Sequence, residues 1–229
     1  MSDGQTSSRA GVLGRAIGVL LGGWAVTLGL VTAAGLAVTS YGSTLPLLES
    51  EDEVNRDFVA ARTSTWDGIT EVISFLGDTS LVGPAALVVA LLLRWVLHRW
   101  RETLFLLAAV GGHWAVFLTT TLLVDRERPD VPKLDEAPAT SSFPSGHTGA
   151  ALAIYGALTV IVIRRVEQRW IKVVAAVVLL ALPVLVGGAR LYRGMHHPSD
   201  LVGSVLSSGL IVLVAYLVVL RRPDRNGTG

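Results

Sequence analysis

Three short polar clusters lie where apolar segments of the chain end. They are residues 125–129, residues 143–147, and the trio Arg190, His196 and Asp200. Arginine neutralises phosphate charge, a neutral imidazole can attack phosphorus, and a protonated imidazole can supply a proton to the leaving oxygen. A carboxylate can hold the attacking ring in the tautomer that leaves one nitrogen free. Together the clusters contain the groups that phosphoryl transfer needs.

The second cluster is typical of a helix N-terminus. Ser145, Gly146 and His147 directly precede an apolar run. Free backbone N–H groups and the helix dipole favour an anion at such an end, while Gly146 allows close approach and Ser145 adds a hydroxyl. Taken alone, this sequence favours an ordinary capping turn. Its functional interpretation therefore depends on the other two clusters.

The third cluster spans the end of one apolar segment and the start of the next. Pro198 suits the first position of a helix, which puts Asp200 in its first turn and His196 just before it. Asp200 could then accept a hydrogen bond from His196. Arg190 ends the preceding segment on the same side, where a guanidinium without an anion is unfavourable. The alternatives are a simple helix-dipole partner for Asp200 and a snorkelling side chain for Arg190.

Apolar segments must position these clusters, and their lengths suit membrane spans. Six segments of 15 to 24 residues lack Asp, Glu, Lys and Arg: 16–39, 79–93, 103–124, 148–163, 173–189 and 201–220. A span needs about 20 apolar residues, and flanking basic side chains can snorkel. We therefore predict an all-α, polytopic membrane helix bundle with six transmembrane helices. The clusters then lie at the ends of helices 3 to 6.

The whole chain, 1–229, reads as a single membrane-embedded domain, with motifs within 103–220 and polar tails at 1–8 and 223–229. The first segment is too long for a signal-peptide core, so a retained anchor is favoured.

Apolar residues recur at helical spacing over 54–76, which predicts helix along the outer membrane surface. Gly14, Gly18 and Gly22 form a small-residue face, for which packing inside the bundle is favoured over a homodimer contact.

Charge asymmetry predicts the orientation. With the N-terminus inside, cytoplasmic positions hold 12 of the 19 basic residues: Arg9, Arg15, Arg94, Arg99, Arg101, Arg164, Arg165, Arg169, Lys172, Arg221, Arg222 and Arg225. The opposite loops hold 14 of the 18 acidic residues. The positive-inside rule thus predicts cytoplasmic termini and extracytoplasmic clusters.

There is no basic patch with interleaved aromatics to suggest nucleic-acid binding, and the absence of cysteine excludes a thiolate mechanism.

The three clusters resemble the signature motifs of the type 2 phosphatidic acid phosphatase family, also called lipid phosphate phosphatases. The matching positions are Arg128 with Pro129, residues 144–147, and the spacing of Arg190, His196 and Asp200. The resemblance implies a multi-pass hydrolase of a bacterial cell membrane whose partners are a lipid phosphate substrate and membrane lipids. It also implies a reaction without metal or other cofactor. Candidate substrates are polyprenyl diphosphate (undecaprenyl diphosphate), phosphatidic acid, diacylglycerol pyrophosphate and phosphatidylglycerol phosphate.

The resemblance also implies roles for individual residues. His196 would be the nucleophile that forms a phosphohistidine, Asp200 would orient it, and His147 would be the general acid. The phosphate oxygens would be bound by Arg128, Arg190, Ser145 and the Gly146 amide. Two alternatives remain open: a lipid phosphotransferase that uses the same phosphohistidine, and a non-catalytic lipid-phosphate binding or transport protein.

Two positions depart from the family pattern: Thr121, and Ala189 directly before Arg190, where the family usually has a serine. The family usually has a lysine seven residues before Arg128, and this chain has Thr121 there. Arg126 could supply part of the missing phosphate-binding charge. The alternative is that Arg126 pairs with Asp125 or Glu127.

Three further histidines are weaker candidates for the site. His113 lies within the third apolar segment, and we expect it to be a hydrogen-bonded core residue. His197 has the wrong spacing to the other motif residues, which favours a packing or interfacial role. His98 lies beside Arg99 and Trp100, which is typical of a cytoplasmic membrane interface.

Overall fold

The computed structural model of the chain describes residues 3–42, 44, 48 and 50–221, with side chains from residue 11 onward. Its helices are α1 (Asp3–Tyr41), α2 (Glu51–Ala60), α3 (Ser64–Phe75), α4 (Thr79–Leu97), α5 (Arg101–Leu123), α6 (Gly146–Arg165), α7 (Arg169–Tyr192) and α8 (Pro198–Ala215). A π-helical turn, Tyr216–Leu220, continues α8. Helix α1 takes in most of the predicted N-terminal tail, and the predicted tail 223–229 lies outside the described residues.

In the described part of the chain, six segments are long and apolar enough to cross a membrane, which confirms the predicted number. They are Gly11–Tyr41, Thr79–Leu97, Arg101–Leu123, Gly146–Arg165, Arg169–Tyr192 and Pro198–Leu220. They extend past the charge-free runs, and some of the charged residues at their ends form ion pairs. In one example, Glu102 in the first turn of α5 is buried and forms an ion pair with Arg165 at the end of α6.

Helix α6 is the centre of the bundle, in contact with α4, α5, α7 and α8. Its buried face is rich in small residues, among them Ala150, Ala153 and Ala157, which let the neighbouring helices approach closely. Phe105 and Leu106 of α5 fill the remaining space in this core. Large apolar side chains elsewhere on the spans point outward, as expected of surfaces that face lipid.

The amphipathic stretch 54–76 forms two helices rather than one. The break lies at residues 61–63, where Thr63 caps α3 by accepting a hydrogen bond from the Trp66 amide at 3.3 Å. Helix α3 packs against α7, and α2 packs against α7 and α8. Both helices therefore lie at the end of the bundle where α7 ends and α8 begins.

The loop between α5 and α6 is anchored by Phe143, which is buried. Its ring fills the space left by two glycines: a Cβ at Gly35 of α1 would lie 2.6 Å from the ring, and one at Gly203 of α8 would lie 2.4 Å from it. No larger residue fits at either position unless the ring moves. The aromatic side chain thus fixes the loop against two helices.

The expectation that Gly14, Gly18 and Gly22 pack inside the bundle is wrong. A Cβ built on any of the three would meet no atom within 4 Å in the described part of the chain. The glycines on α1 that do make close contacts are Gly23, against Val214, and Gly35, against Phe143. The spacing of three glycines identified a small-residue face, but the packed face of α1 is a different one.

Candidate active site

The three clusters meet around one cavity of about 640 Å³. Among its lining residues are Arg128 from the α5–α6 loop, His147 from the first turn of α6, Arg190 near the end of α7, and His196 just before α8. The predicted helix boundaries explain this convergence. Because each motif sits at a helix end and those ends lie together, residues far apart in sequence become neighbours.

The His196 residue is buried, with 3% of its surface exposed, and its ring is held in place by contacts of the Nδ1 atom. Nδ1 lies 2.9 Å from the carbonyl oxygen of Ser142 and 3.4 Å from Oδ2 of Asp200. A carbonyl oxygen only accepts hydrogen bonds, so Nδ1 carries the proton and Nε2 keeps a free lone pair. Burial lowers the pKa of His196, and the positive charges of Arg190 and Arg128 lower it further, whereas Asp200 acts to raise it. The ring is thus kept neutral, as a nucleophile requires.

The Ser142 carbonyl is a partner that the sequence did not single out. The predicted partner of His196, Asp200, is present but at the longer distance. The Asp200 carboxylate is fully buried in the first turn of α8, as predicted, and its Oδ2 accepts a hydrogen bond from the His197 amide at 2.9 Å. His197 is therefore the cap of α8, which agrees with a structural rather than a catalytic role.

His147 has an acidic partner that sequence reasoning missed. Its Nε2 lies 3.1 Å from Oδ2 of Asp78, and both residues line the cavity. Asp78 is the N-cap of α4 and also accepts a hydrogen bond from the Ser80 amide at 2.7 Å. Burial alone would raise the pKa of Asp78, but the hydrogen bonds from Ser80 and His147 bring it below its usual value. Asp78 is therefore a carboxylate that fixes the His147 ring.

The two arginines that line the cavity are only partly satisfied by protein groups. Arg190 is 4% exposed, and its Nη1 donates to Ser74 at 2.8 Å and to Asp135 at 2.7 Å. Nη1 of Arg128 donates to the Met195 carbonyl at 2.8 Å. The Nε atoms of both arginines are buried and have no hydrogen-bond partner among the described residues. Such donors beside a cavity favour a bound anion.

Asp135 is the second acidic residue that sequence reasoning missed. It accepts from Nε of Arg193 at 2.9 Å as well as from Arg190, and so ties the α5–α6 loop to the end of α7. Burial would raise the pKa of Asp135, but hydrogen bonds from Arg193 and the charge of Arg190 bring it below its ordinary value. The carboxylate therefore stays charged and keeps Arg190 beside the cavity.

The two predicted phosphate-binding residues at the start of α6 have different surroundings: one lines the cavity and the other does not. Gly146 lines the cavity, where a Cβ would lie 2.8 Å from the Phe117 ring. Ser145 is buried as the N-cap of α6, with its hydroxyl 3.1 Å from that of Thr148, and it is not among the lining residues. The Ser145 hydroxyl thus supports the helix end, while Gly146 leaves room for an anion.

Arg126 does not take the place of the family lysine in the cavity. Its guanidinium binds Asp200, Glu51 and Ser199, and it is not among the lining residues. Thr121 is likewise absent from the lining, and its hydroxyl donates to the Leu118 carbonyl at 2.9 Å. Neither proposed pairing of Arg126, with Asp125 or with Glu127, is present among its ion pairs in the described residues. Neither position replaces the lysine at the cavity.

His113 is a core residue, as predicted. Its Nδ1 lies 3.1 Å from the Ser208 hydroxyl, and its ring stacks on Phe117 with centroids 5.7 Å apart. The described residues contain no group of three or more His, Cys, Asp or Glu side chains arranged to hold a metal ion.

Comparison with known proteins gives consistent results. The model of a family described as the PAP2 superfamily matches residues 102–224. Phosphatidylglycerophosphatase B of Bacillus subtilis (strain 168) is 27% identical over 179 residues, which cover 72% of this chain and 81% of that protein.

Two solved structures share the fold. The first transmembrane PAP2 type phosphatidylglycerolphosphate phosphatase from Bacillus subtilis superposes with a TM-score of 0.72 at 21% identity, over 83% of this chain and 92% of that one. Aquifex aeolicus LpxE superposes with a TM-score of 0.56 at 24% identity, over 71% of this chain and 92% of that one.

Proposed function

The chain belongs to the PAP2 superfamily, and from this we propose that it is a membrane lipid phosphatase that forms a phosphohistidine on His196. The observation that carries the proposal is the cavity lined jointly by His196, His147, Arg128 and Arg190. A nucleophile, a proton donor and two phosphate-binding cations around one space are what transfer of a phosphoryl group requires. The relatives that are named phosphatidylglycerophosphatases support a lipid phosphate as the substrate class.

In the first step, Nε2 of His196 attacks phosphorus. An N–P bond forms as the bond to the leaving oxygen breaks, and His147 gives that oxygen a proton. Arg128 and Arg190 neutralise the charge on the phosphoryl oxygens, with the Nε donors that have no hydrogen-bond partner among the described residues. Because Asp78 binds Nε2 of His147, the nitrogen available to the leaving group is Nδ1.

In the second step, water attacks the phosphohistidine. His147, now neutral, takes a proton from the water, the N–P bond breaks, and inorganic phosphate is released. Asp200 and the Ser142 carbonyl keep Nδ1 of His196 protonated throughout, so each cycle returns the same tautomer.

The apolar part of the cavity suits a lipid substrate. Phe75, Trp114, Phe117 and Leu118 line it on the side formed by α3 and α5. A headgroup phosphate among the arginines would then have an apolar neighbour for the first part of its hydrocarbon chain. Within this class, polyprenyl diphosphate, phosphatidic acid and phosphatidylglycerol phosphate are the substrates to compare.

A phosphate-release assay tests the function. Purified protein in detergent is incubated with each candidate lipid phosphate, with no acceptor alcohol and with EDTA present. We expect multiple turnovers of inorganic phosphate from at least one substrate, because water completes the cycle and no metal takes part. Phosphate release of less than one equivalent per enzyme would favour a phosphotransferase, and activity that only magnesium restores would contradict the mechanism.

We propose that the cavity opens on the extracytoplasmic side and that both termini are cytoplasmic, on the strength of the loop charges. Ala137 lies in the α5–α6 loop, is exposed, and belongs to a chain without cysteine. We expect an Ala137→Cys variant to react with a membrane-impermeant maleimide in intact cells. The control is a cysteine at Gln168, in the loop between α6 and α7, which should react only after lysis. The reverse pattern would overturn the orientation.

A further inference from the structure

Arg126 lies between two buried carboxylates outside the cavity. Its Nη1 donates to Oδ1 of Asp200, and its Nη2 donates to Oε2 of Glu51 at 2.7 Å. The Arg126 side chain is 10% exposed, that of Glu51 7% and that of Asp200 0%. Burying three charged groups is unfavourable unless they pair closely, and each carboxylate here shares the one guanidinium. The three residues thus form a single continuous ion-pair chain.

Glu51 extends this chain to the backbone of α8. Its Oε1 accepts a hydrogen bond from the Ser199 amide at 2.6 Å, and its Oε2 accepts from the Ser199 hydroxyl at 3.0 Å. That hydroxyl also accepts from Nη1 of Arg126 at 2.7 Å. The first turn of α2 is therefore joined to the first turn of α8, the turn that carries Asp200. Neither Glu51 nor Arg126 lines the cavity described above.

We propose that Arg126 and Glu51 are positioning residues that hold Asp200 against His196, an inference that rests on the proposed function. With Oδ1 occupied by Arg126, the carboxylate presents Oδ2 to the His197 amide and to Nδ1 of His196. Without the hydrogen bond from Arg126, the Asp200 carboxylate can rotate. His196 then loses one of the two acceptors at Nδ1 that keep the proton on Nδ1 and leave Nε2 unprotonated. The guanidinium of Arg126 thus positions Asp200 beside the nucleophile His196 and does not bind phosphate.

The test uses the full-length protein in detergent and the variant Glu51→Gln, which keeps the shape and removes the charge. Glu53→Gln is the matched control, since Glu53 is an exposed carboxylate in the same turn of α2. Calorimetry measures binding of orthovanadate, which bonds to a nucleophile, and of inorganic phosphate, which needs only the cations. We expect Glu51→Gln to weaken vanadate binding by about tenfold, the usual effect of losing one charge-assisted contact, with phosphate binding unchanged.

Turnover supplies the second measurement. With whichever lipid phosphate the wild type hydrolyses, Glu51→Gln should lower kcat by about tenfold with little change in KM, since transition-state positioning is lost and ground-state binding is not. Arg126→Ala should show the same pattern to a larger degree, and Glu53→Gln should match the wild type. If Glu51→Gln does not fold, Ser199→Ala removes only the bridging hydroxyl, and a loss of vanadate binding without loss of phosphate binding is expected there too.

Each outcome has a distinct meaning. An Arg126→Ala protein that loses phosphate and vanadate binding equally, with a raised KM, would show that Arg126 binds the substrate and would overturn the inference. Wild-type vanadate binding and kcat in both Glu51→Gln and Arg126→Ala would overturn it as well. A wild-type protein that neither binds vanadate nor releases phosphate would instead overturn the proposed function.

Discussion

Replacing His196 with alanine should abolish turnover and phosphoenzyme formation while the protein still folds. Among the described residues that line the cavity, no other imidazole has its Nδ1 bound by both a carbonyl and a carboxylate, so no second nucleophile replaces His196 in the attack on phosphorus. Loss of a nucleophile of this kind lowers kcat by a factor on the order of 10³ or more. Phosphate release and trapping of labelled phosphoenzyme from a radioactive substrate measure the effect.

His98→Asn is the control for that experiment. His98 is exposed and directly follows α4, and asparagine tolerates its left-handed backbone conformation, which has φ = 52°. We expect wild-type activity from this variant. Retention of even a tenth of wild-type turnover in His196→Ala would contradict the assignment of the nucleophile.

Replacing His147 with alanine should have an effect that depends on the leaving group. A lipid alkoxide leaves poorly without a proton, so loss of the general acid should lower turnover of a lipid phosphate by about 10² to 10⁴. p-Nitrophenolate leaves readily without protonation. The first turnover of p-nitrophenyl phosphate, seen as a burst of nitrophenol, should therefore stay within about threefold of the wild-type rate.

Rapid mixing separates that burst from the slower hydrolysis of the phosphohistidine, which also uses His147. An equal loss in the burst and in lipid turnover would show that His147 binds phosphate and does not donate a proton. The same comparison applied to Gln168→Ala, far from the cavity in the loop between α6 and α7, should leave both rates unchanged.

The helices and the main site residues could be predicted because their signals are local. Six uncharged runs predicted the spans, and Pro198 and Ser145 predicted the starts of two helices, which the structure confirms. Once those helix ends are known, His147 and His196 must project from neighbouring turns.

The acidic partners could not be predicted because they depend on contacts between distant parts of the chain. Asp78 lies 69 positions from His147, and Glu51 lies 75 positions from Arg126. The loops at the cavity end of the bundle contain many carboxylates, and no spacing rule distinguishes the ones whose side chains are buried. From the sequence alone, Arg126 could bind phosphate or pair with a neighbouring acid, whereas buried acids on other helices determine where its guanidinium lies.

The packing of the Phe143 ring between Gly35 and Gly203 affects where the chain could be cut to make a shorter fragment. The family model begins at residue 102, so α1 lies wholly outside the matched region. Yet α1 supplies one of the two glycines that receive the ring, and the ring holds the loop that carries the Ser142 carbonyl beside His196. A fragment cut at the family boundary would leave that aromatic ring unsupported on one side. The region that the family model matches therefore lacks one of the two helices against which this loop packs.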